Sequence, residues 1–211
     1  MKKVVLLLIS SFFMVQLSAQ NDKKNQVGSH TSFGTGTYGI VGVGGGDYKV
    51  KYYYTLGLDY SRQLSKRWDL CSGVEYTYDK MTLTAHDDPT KSKSSESLTL
   101  ATIPVQFKYH FGKIVYLNSG ILFNILAKTS NEAWVQSRNK EYKPTNNVAM
   151  FLGFGLGIGF EHEFDSGVML SLNPYVRWNG IGNVGSFLYS THTGNHIFLQ
   201  SGISLGIGYK F

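Results

Sequence analysis

The sequence predicts an all-β chain, an eight-stranded antiparallel up-and-down transmembrane β-barrel. Three observations carry that expectation: an apolar period of two residues that recurs in successive segments, connections that alternate between tight and long, and an apolar face with aromatics at both ends. A content of 24 Gly, 14 Tyr and 13 Phe against 4 Pro in 211 residues also favours strands over helices.

The first nineteen residues read differently from everything after them. Lys2 and Lys3 form a positive start, "VVLLLISSFFMV" an apolar core, and "LSA" a cleavage site before Gln20. This is the pattern of a secretory signal peptide over 1–19. Its apolar run falls short of the roughly 20 residues that a membrane-spanning helix needs. A short N-terminal segment is expected at 20–30 and the barrel domain at 31–211. Removing Lys2 and Lys3 lowers the formal charge from +6 to +4, because no acidic residue precedes Gln20. That excess is spread along the chain and forms no basic stripe, so nucleic acid is not an expected partner. Cys71 is the only cysteine, which excludes an internal disulfide framework.

In chain order, residues 31–44 supply a strand whose glycines blur its faces. Tyr52, Tyr54, Leu56, Leu58 and Tyr60 then alternate with Tyr53, Thr55, Gly57, Asp59 and Ser61. Leu70, Ser72, Val74, Tyr76 and Tyr78 alternate with Cys71, Gly73, Glu75, Thr77 and Asp79, and Ile103, Val105, Phe107, Tyr109 and Phe111 with Pro104, Gln106, Lys108 and His110. Residues 114–127 form a more uniformly apolar strand. "VAMFLGFGLGIGF" at 148–160 places Met150 through Phe160 on one face and Gly153, Gly155, Gly157 and Gly159 on the other. Leu170, Leu172, Val176 and Trp178 follow, and Ile203, Leu205, Ile207, Tyr209 and Phe211 form the final strand.

Tight connections are expected at 65–67, 112–113 and 163–167. Long polar ones are expected at about 84–97, 128–147 and 180–195, with a shorter one near 45–49. Because the two kinds alternate strictly, every long connection leaves on the same side, as in a meander. The polar face is too small and too polar for the outside of a soluble barrel. The apolar face carries Tyr60, Trp68, Tyr109, Phe160, Tyr209 and Phe211 at the tight-turn end, and Tyr52, Tyr54, Tyr78 and Trp178 toward the long loops. Two aromatic girdles around an apolar band mark a barrel that spans a membrane. A soluble lipocalin-like barrel would bury those aromatics.

With these features the chain resembles the small bacterial outer-membrane barrels. Within them, "TIPVQFKYHFG" at 102–112 followed by "YLNSGILFNIL" at 116–126 resembles the PorT-like outer-membrane β-barrel family. The resemblance implies a Gram-negative cell outer membrane, reached after signal-peptide cleavage. It also implies that Ile203, Leu205, Ile207, Tyr209 and Phe211 serve as the C-terminal aromatic assembly signal read by the outer-membrane barrel insertion machinery. No second domain is expected after Phe211, and the protein is expected to be a monomer among outer-membrane lipid and lipopolysaccharide.

Motifs for other chemistry are weak. "GTGTYG" at 34–39 matches a dinucleotide fingerprint, but the "IVGVGGG" after it cannot start the helix that the fingerprint requires. His192 and His196 have a helical zinc spacing on a non-helical segment. "HDD" at 86–88 reads as a loop tip. Ser190 and His192 with Asp87 or Asp88 have no spacing that singles out a catalytic set. No cofactor, no metal and no enzymatic activity are expected.

The inward charges are more informative. By parity Asp59, Glu75, Asp79, Lys108 and Arg177 point into the lumen, as does Lys210, and opposite signs are expected to pair. The glycine row at 153–159 is expected to leave room for Tyr175 and Arg177. The expected role is an integral outer-membrane protein with a largely plugged lumen, acting structurally or by binding through its loops. The loop at 128–147, with Trp134, Arg138, Lys140, Tyr142 and Lys143, is the candidate recognition surface. A porin-like narrow pore, or a conduit for small or apolar solutes with a wall opening near Pro104 or Pro174, is the alternative. A lipid-modifying enzyme is a further one.

Overall fold

In a computed structural model of the chain, eight strands close into one antiparallel barrel in simple chain order. The structure describes residues 24–41, 46–85, 93–129, 150–181 and 195–211. The strands are β1 (Asn25–Val41), β2 (Gly46–Gln63), β3 (Trp68–Ala85), β4 (Lys93–His110), β5 (Val115–Thr129), β6 (Met150–Glu163), β7 (Val168–Ile181) and β8 (Asn195–Lys210). Each has 14 to 18 residues. A tilted strand crosses a bilayer with about 9–11, so every strand spans it with residues to spare.

Closure is made by β1 and β8, which pair from Gln26↔Lys210 to Val41↔Asn195 without a shift of register. The ring is finished by Asn25 and Phe211, each donating its N–H to the other's carbonyl at 3.0 and 2.8 Å. No strand edge is left to face lipid, where an unpaired backbone group costs several kcal/mol.

Several boundaries differ from the sequence expectation. β1 begins at Asn25 instead of 31, so residues 25–30 of the expected N-terminal segment belong to the barrel. Gly28, Ser29 and His30 hide the apolar alternation there; the backbone is held by two flanking strands and needs no side-chain signal. β4 likewise starts at Lys93, inside the expected 84–97 connection, and β2 at Gly46. β5 continues to Thr129 and β7 to Ile181. The polar residues at these ends extend the barrel past the apolar band. The expected signal peptide at 1–19 lies outside the described residues.

The tight connections are 64–67, 111–114 and 164–167. In the last, Phe164 N–H bonds the Val168 carbonyl at 2.8 Å, and Gly167 takes a φ of +84°, a conformation that other residues adopt only with strain.

The wall itself carries two kinds of irregularity. Both ladders of β2 skip Lys51, so this strand bulges by one residue and its side-chain parity flips. At the two prolines the ladders lapse and then resume. Between β3 and β4, pairing passes from Ser72↔Val105 to Glu75↔Thr102, and the Ser72 hydroxyl donates to the Pro104 carbonyl at 2.9 Å. Between β6 and β7 it passes from Gly157↔Tyr175 to Phe160↔Leu172. The sheet closes through both places.

The two faces of the sheet separate cleanly. Leu56, Leu58, Val74, Leu156, Ile158, Leu205 and Ile207 all point outward and are 42 to 62% exposed. A continuous apolar band of this size has no place in water and fits hydrocarbon. At the tight-turn end, Trp68, Tyr109 and Phe111 are in ring contact, with centroids 4.8 and 5.0 Å apart. At the loop end Tyr54 stacks on Tyr78 at 5.3 Å.

Candidate functional site

The inward face is polar, and its side chains meet across the lumen in layers. Nearest the tight turns, Lys210 Nζ lies 3.1 Å from Glu163. One layer further in, His110 bonds Asp69 at 2.8 Å, and Lys108 Nζ donates to Glu161 Oε2 at 2.8 Å while sitting 4.5 Å from the centre of the Tyr116 ring. A vestibule of about 660 Å³ opens from the tight-turn end onto Asp69, His110, Glu161 and Lys210.

The middle layer holds the strongest polar contact. Arg177 on β7 donates from Nη1 and Nη2 to the two oxygens of Glu75 on β3, at 2.5 and 2.8 Å. Both are buried, at 8 and 5% exposure. The His30 ring stands between Glu75, 3.4 Å from Nε2, and Asp59, 2.6 Å from Nδ1. It lies against Gly57, where an added Cβ would occupy the space of the imidazole. The Arg177 guanidinium also covers the Tyr175 ring at 4.6 Å, and Tyr53 donates to the Tyr175 hydroxyl at 2.9 Å. A cavity of about 110 Å³ remains just below, lined among others by Ser171, Asn173 and Ser204.

Above Arg177 a belt of hydroxyl and amide groups crosses the barrel and ends on the Asp79 carboxyl. Thr102 donates to Asn124 at 2.7 Å, Asn124 to Asn179 at 3.0 Å, Asn179 to Gln200 at 3.1 Å, and Gln200 to Asp79 at 2.8 Å. Toward the loops the interior turns apolar, with Val50, Met81, Leu98 and Leu100 at most 3% exposed. Among the described residues, side chains meet across the middle of the lumen and toward the loops, and the larger opening is the vestibule at the tight-turn end.

The family of the chain follows from a comparison of its sequence. Residues 16–211 match the model of the outer membrane protein beta-barrel domain. The chain belongs to that family. As an outer-membrane barrel it also resembles solved structures at the level of fold. OprG of Pseudomonas aeruginosa superposes with a TM-score of 0.49 at 12% identity, covering 89% of this chain and 96% of that one. AlkL, solved in DMPC bilayers, gives 0.50 at 17% identity, covering 92% of each. Neisserial surface protein A gives 0.45 at 14%, covering 89 and 97%. No curated protein matches the chain.

In this outer-membrane barrel the charges expected in the lumen do face inward, but their partners are largely ones that parity had not supplied. Only Arg177 and Glu75 pair within the expected set. Asp59 pairs with His30, and Lys108 with Glu161. Asp79 forms no ion-pair contact among the described residues; its bonded oxygen takes an amide hydrogen from Gln200. His30 is not among the expected lumen residues because it lies just before the strand start expected at 31, six residues after the observed start at Asn25. Glu161 was legible, since it continues the parity of Gly153 to Gly159. The room beside that glycine row is taken by other groups than expected. An added Cβ at Gly153 would meet Asn179 and Asn124, at Gly157 Asn118 and Asn173, and at Gly159 the Tyr116 ring. Most of these groups come from direct cross-strand partners, Asn179 opposite Gly153, Asn118 opposite Gly157 and Tyr116 opposite Gly159, while Arg177 and Tyr175, which stand opposite Gly155 and Gly157, turn to Glu75 and Tyr53.

Ile203, Leu205, Ile207 and Tyr209 lie on the outer face of β8, 49 to 56% exposed, beside the Phe211–Asn25 closure. The loop residues Trp134, Arg138, Lys140, Tyr142 and Lys143 lie outside the described residues, as do His192, Ser190 and the 86–88 stretch. Among the described residues no group of three His, Cys, Asp or Glu side chains is arranged to hold a metal ion.

Proposed function

We propose that this protein is a closed outer-membrane barrel that works through its outer surfaces and loops, not through its lumen. The observation that carries the reading is the bidentate Arg177–Glu75 bridge lying across the interior beneath the amide belt. In a lumen of eight strands, side chains alone suffice to fill the section. The tight turns face the periplasm and the long connections face outward, the common arrangement of such barrels. The protein is exported with removal of residues 1–19, enters the membrane through the barrel insertion machinery by way of Ile203 to Phe211, and resides there as a monomer. Within that family the segments 102–112 and 116–126 support a PorT-like barrel. No catalytic step, metal or cofactor enters this reading.

The working surface in this reading is the 128–147 loop, where Lys128, Arg138, Lys140 and Lys143 outnumber Glu132 and Glu141 around Trp134 and Tyr142. Such a loop suits phosphate-bearing partners. Proteoliposome swelling tests the closed lumen, and resin retention tests the loop. Proteoliposomes should swell no faster than protein-free vesicles in arabinose, and replacing 131–145 with a short Gly/Ser turn should leave that unchanged while abolishing retention of the solubilised barrel on a phosphate-bearing resin. Swelling with the intact protein would refute a closed lumen. Unchanged retention of the shortened variant would refute the loop as the working surface.

A further inference from the structure

The bulge in β2 has a chemical consequence on the outer wall. Val50 and Tyr53 both face inward, at 0 and 1% exposure, so the two residues between them are turned out together. Without the extra residue, Lys51 would share the inward parity of Tyr53 and enter the dry, apolar end of the lumen. The bulge delivers it to the outer face beside Tyr52, and Tyr52 pairs directly with Lys80 of β3. Two lysines thus stand side by side at the height of the loop-end aromatic girdle. Neither has an ion-pair or hydrogen-bond partner among the described residues. The stacked Tyr54–Tyr78 pair lies immediately beneath them.

A second, independent feature continues the same face downward. Below the tyrosines the lipid-facing wall is hollowed into a groove of about 710 Å³. Its floor is Ser29 and Thr31 of β1, whose short side chains sit between Leu56 and Leu58 on one side and Leu205 and Ile207 on the other. The register makes the two features contiguous, since Tyr54↔Tyr78 is followed on the same face by Leu56↔Tyr76 and Leu58↔Val74. A paired cationic site above an apolar groove is complementary to one class of molecule.

We infer that the outer wall of β1, β2 and β3 is a binding site for a phosphorylated, acylated glycolipid. Its phosphate bridges Lys51 and Lys80, its sugar lies against the tyrosine pair, and an acyl chain runs down the Ser29–Thr31 groove. Ammonium groups on an anion form charge-assisted hydrogen bonds, and their long stems let the charges stay at the polar level of the membrane. The site would face the outer leaflet in the orientation proposed above. Micelle binding does not depend on orientation, so a failure of this inference is separable from a failure of that reading.

The test is native mass spectrometry of the refolded full chain in micelles doped with bis-phosphorylated lipid A, with dephosphorylated lipid A, or with phosphatidylglycerol. One glycolipid per barrel should be retained from the first set, about tenfold more tightly than from either other set. Lys51→Gln and Lys80→Gln should each weaken retention about tenfold. Lys51→Arg and Lys80→Arg should keep it, and Thr31→Leu should lower it by filling the groove. Lys113→Gln, at the opposite rim, should change nothing. Equal retention of phosphatidylglycerol, or full retention by a heat-modifiable Lys51→Gln/Lys80→Gln barrel, would overturn the inference. So would a dimer that forms without lipid A and dissociates in the double variant, since a second copy would then be the occupant.

Discussion

Arg177 and Glu75, 102 residues apart in sequence, meet in two parallel hydrogen bonds in the middle of the lumen. They link β3 and β7, strands that share no ladder, so the bridge ties opposite walls of the barrel. Taking two charges out of water is expensive. The fork geometry and the extra contacts to His30 and Tyr175 offset that cost.

Breaking this pair from one side should therefore be worse than removing it. Arg177→Ala strands a buried carboxylate and should cost about 3–5 kcal/mol, whereas Arg177→Met with Glu75→Gln should recover most of that loss. Urea refolding titrations in lipid vesicles measure both. Equal losses in the single and double variants would show that the charges do not act as a pair.

The assignment of faces is tested on β6. Leu156→Arg places a charge on the lipid face near mid-strand and should cost about 2–4 kcal/mol. The same titration should find Leu156→Phe nearly neutral. Tolerance of arginine would mean that the apolar face does not contact hydrocarbon.

The glycine row supplies a finer contrast within one face. An alanine Cβ at Gly155 would meet only the Gln106 amide at 3.1 Å and Leu122 at 3.8 Å, contacts that a flexible side chain relieves. At Gly159 it would fall within the Tyr116 ring, which is itself held against Lys108. Gly159→Ala should cost about 1–3 kcal/mol as an overpacked substitution, and Gly155→Ala clearly less. The reverse order in a refolding titration would contradict the packing described.

Much of this architecture was legible in the chain. The period of two, read along Leu56–Tyr60 and Leu152–Phe160, assigns the outer face correctly because hydrocarbon accepts only apolar side chains there. It fails where the backbone alone defines the strand, as at Gly28–His30, and where a bulge reverses parity, as at Lys51. The apolar outer third of the lumen was equally hidden. Leu98 and Leu100 continue the inward phase of Thr102, but they fall between the connection expected at about 84–97 and the alternation that starts at Ile103. Partner choice inside the barrel was the least legible feature. His30 reaches Asp59 and Glu75, and Gln200 reaches Asp79, through closure of the ring, which places residues from distant strands together.

Assembly depends on the seam in this account. Phe211 is bonded to Asn25 through its backbone, and Tyr209 closes the outer face beside it. Deleting Phe211, or replacing Tyr209 and Phe211 with Asp, should abolish the heat-modifiable form in membranes. Normal recovery of that form would remove the seam and its aromatic residues from the assembly step.

The central claim is that the lumen is closed by its own side chains, and single-channel recording in planar bilayers tests it most directly. If the lumen is closed as proposed, the intact barrel should insert without resolved conductance steps in concentrated KCl, with the Arg177–Glu75 bridge, the belt from Thr102 to Asp79 and the apolar layer above it blocking the section. Steady, ohmic steps from the intact protein would contradict that account.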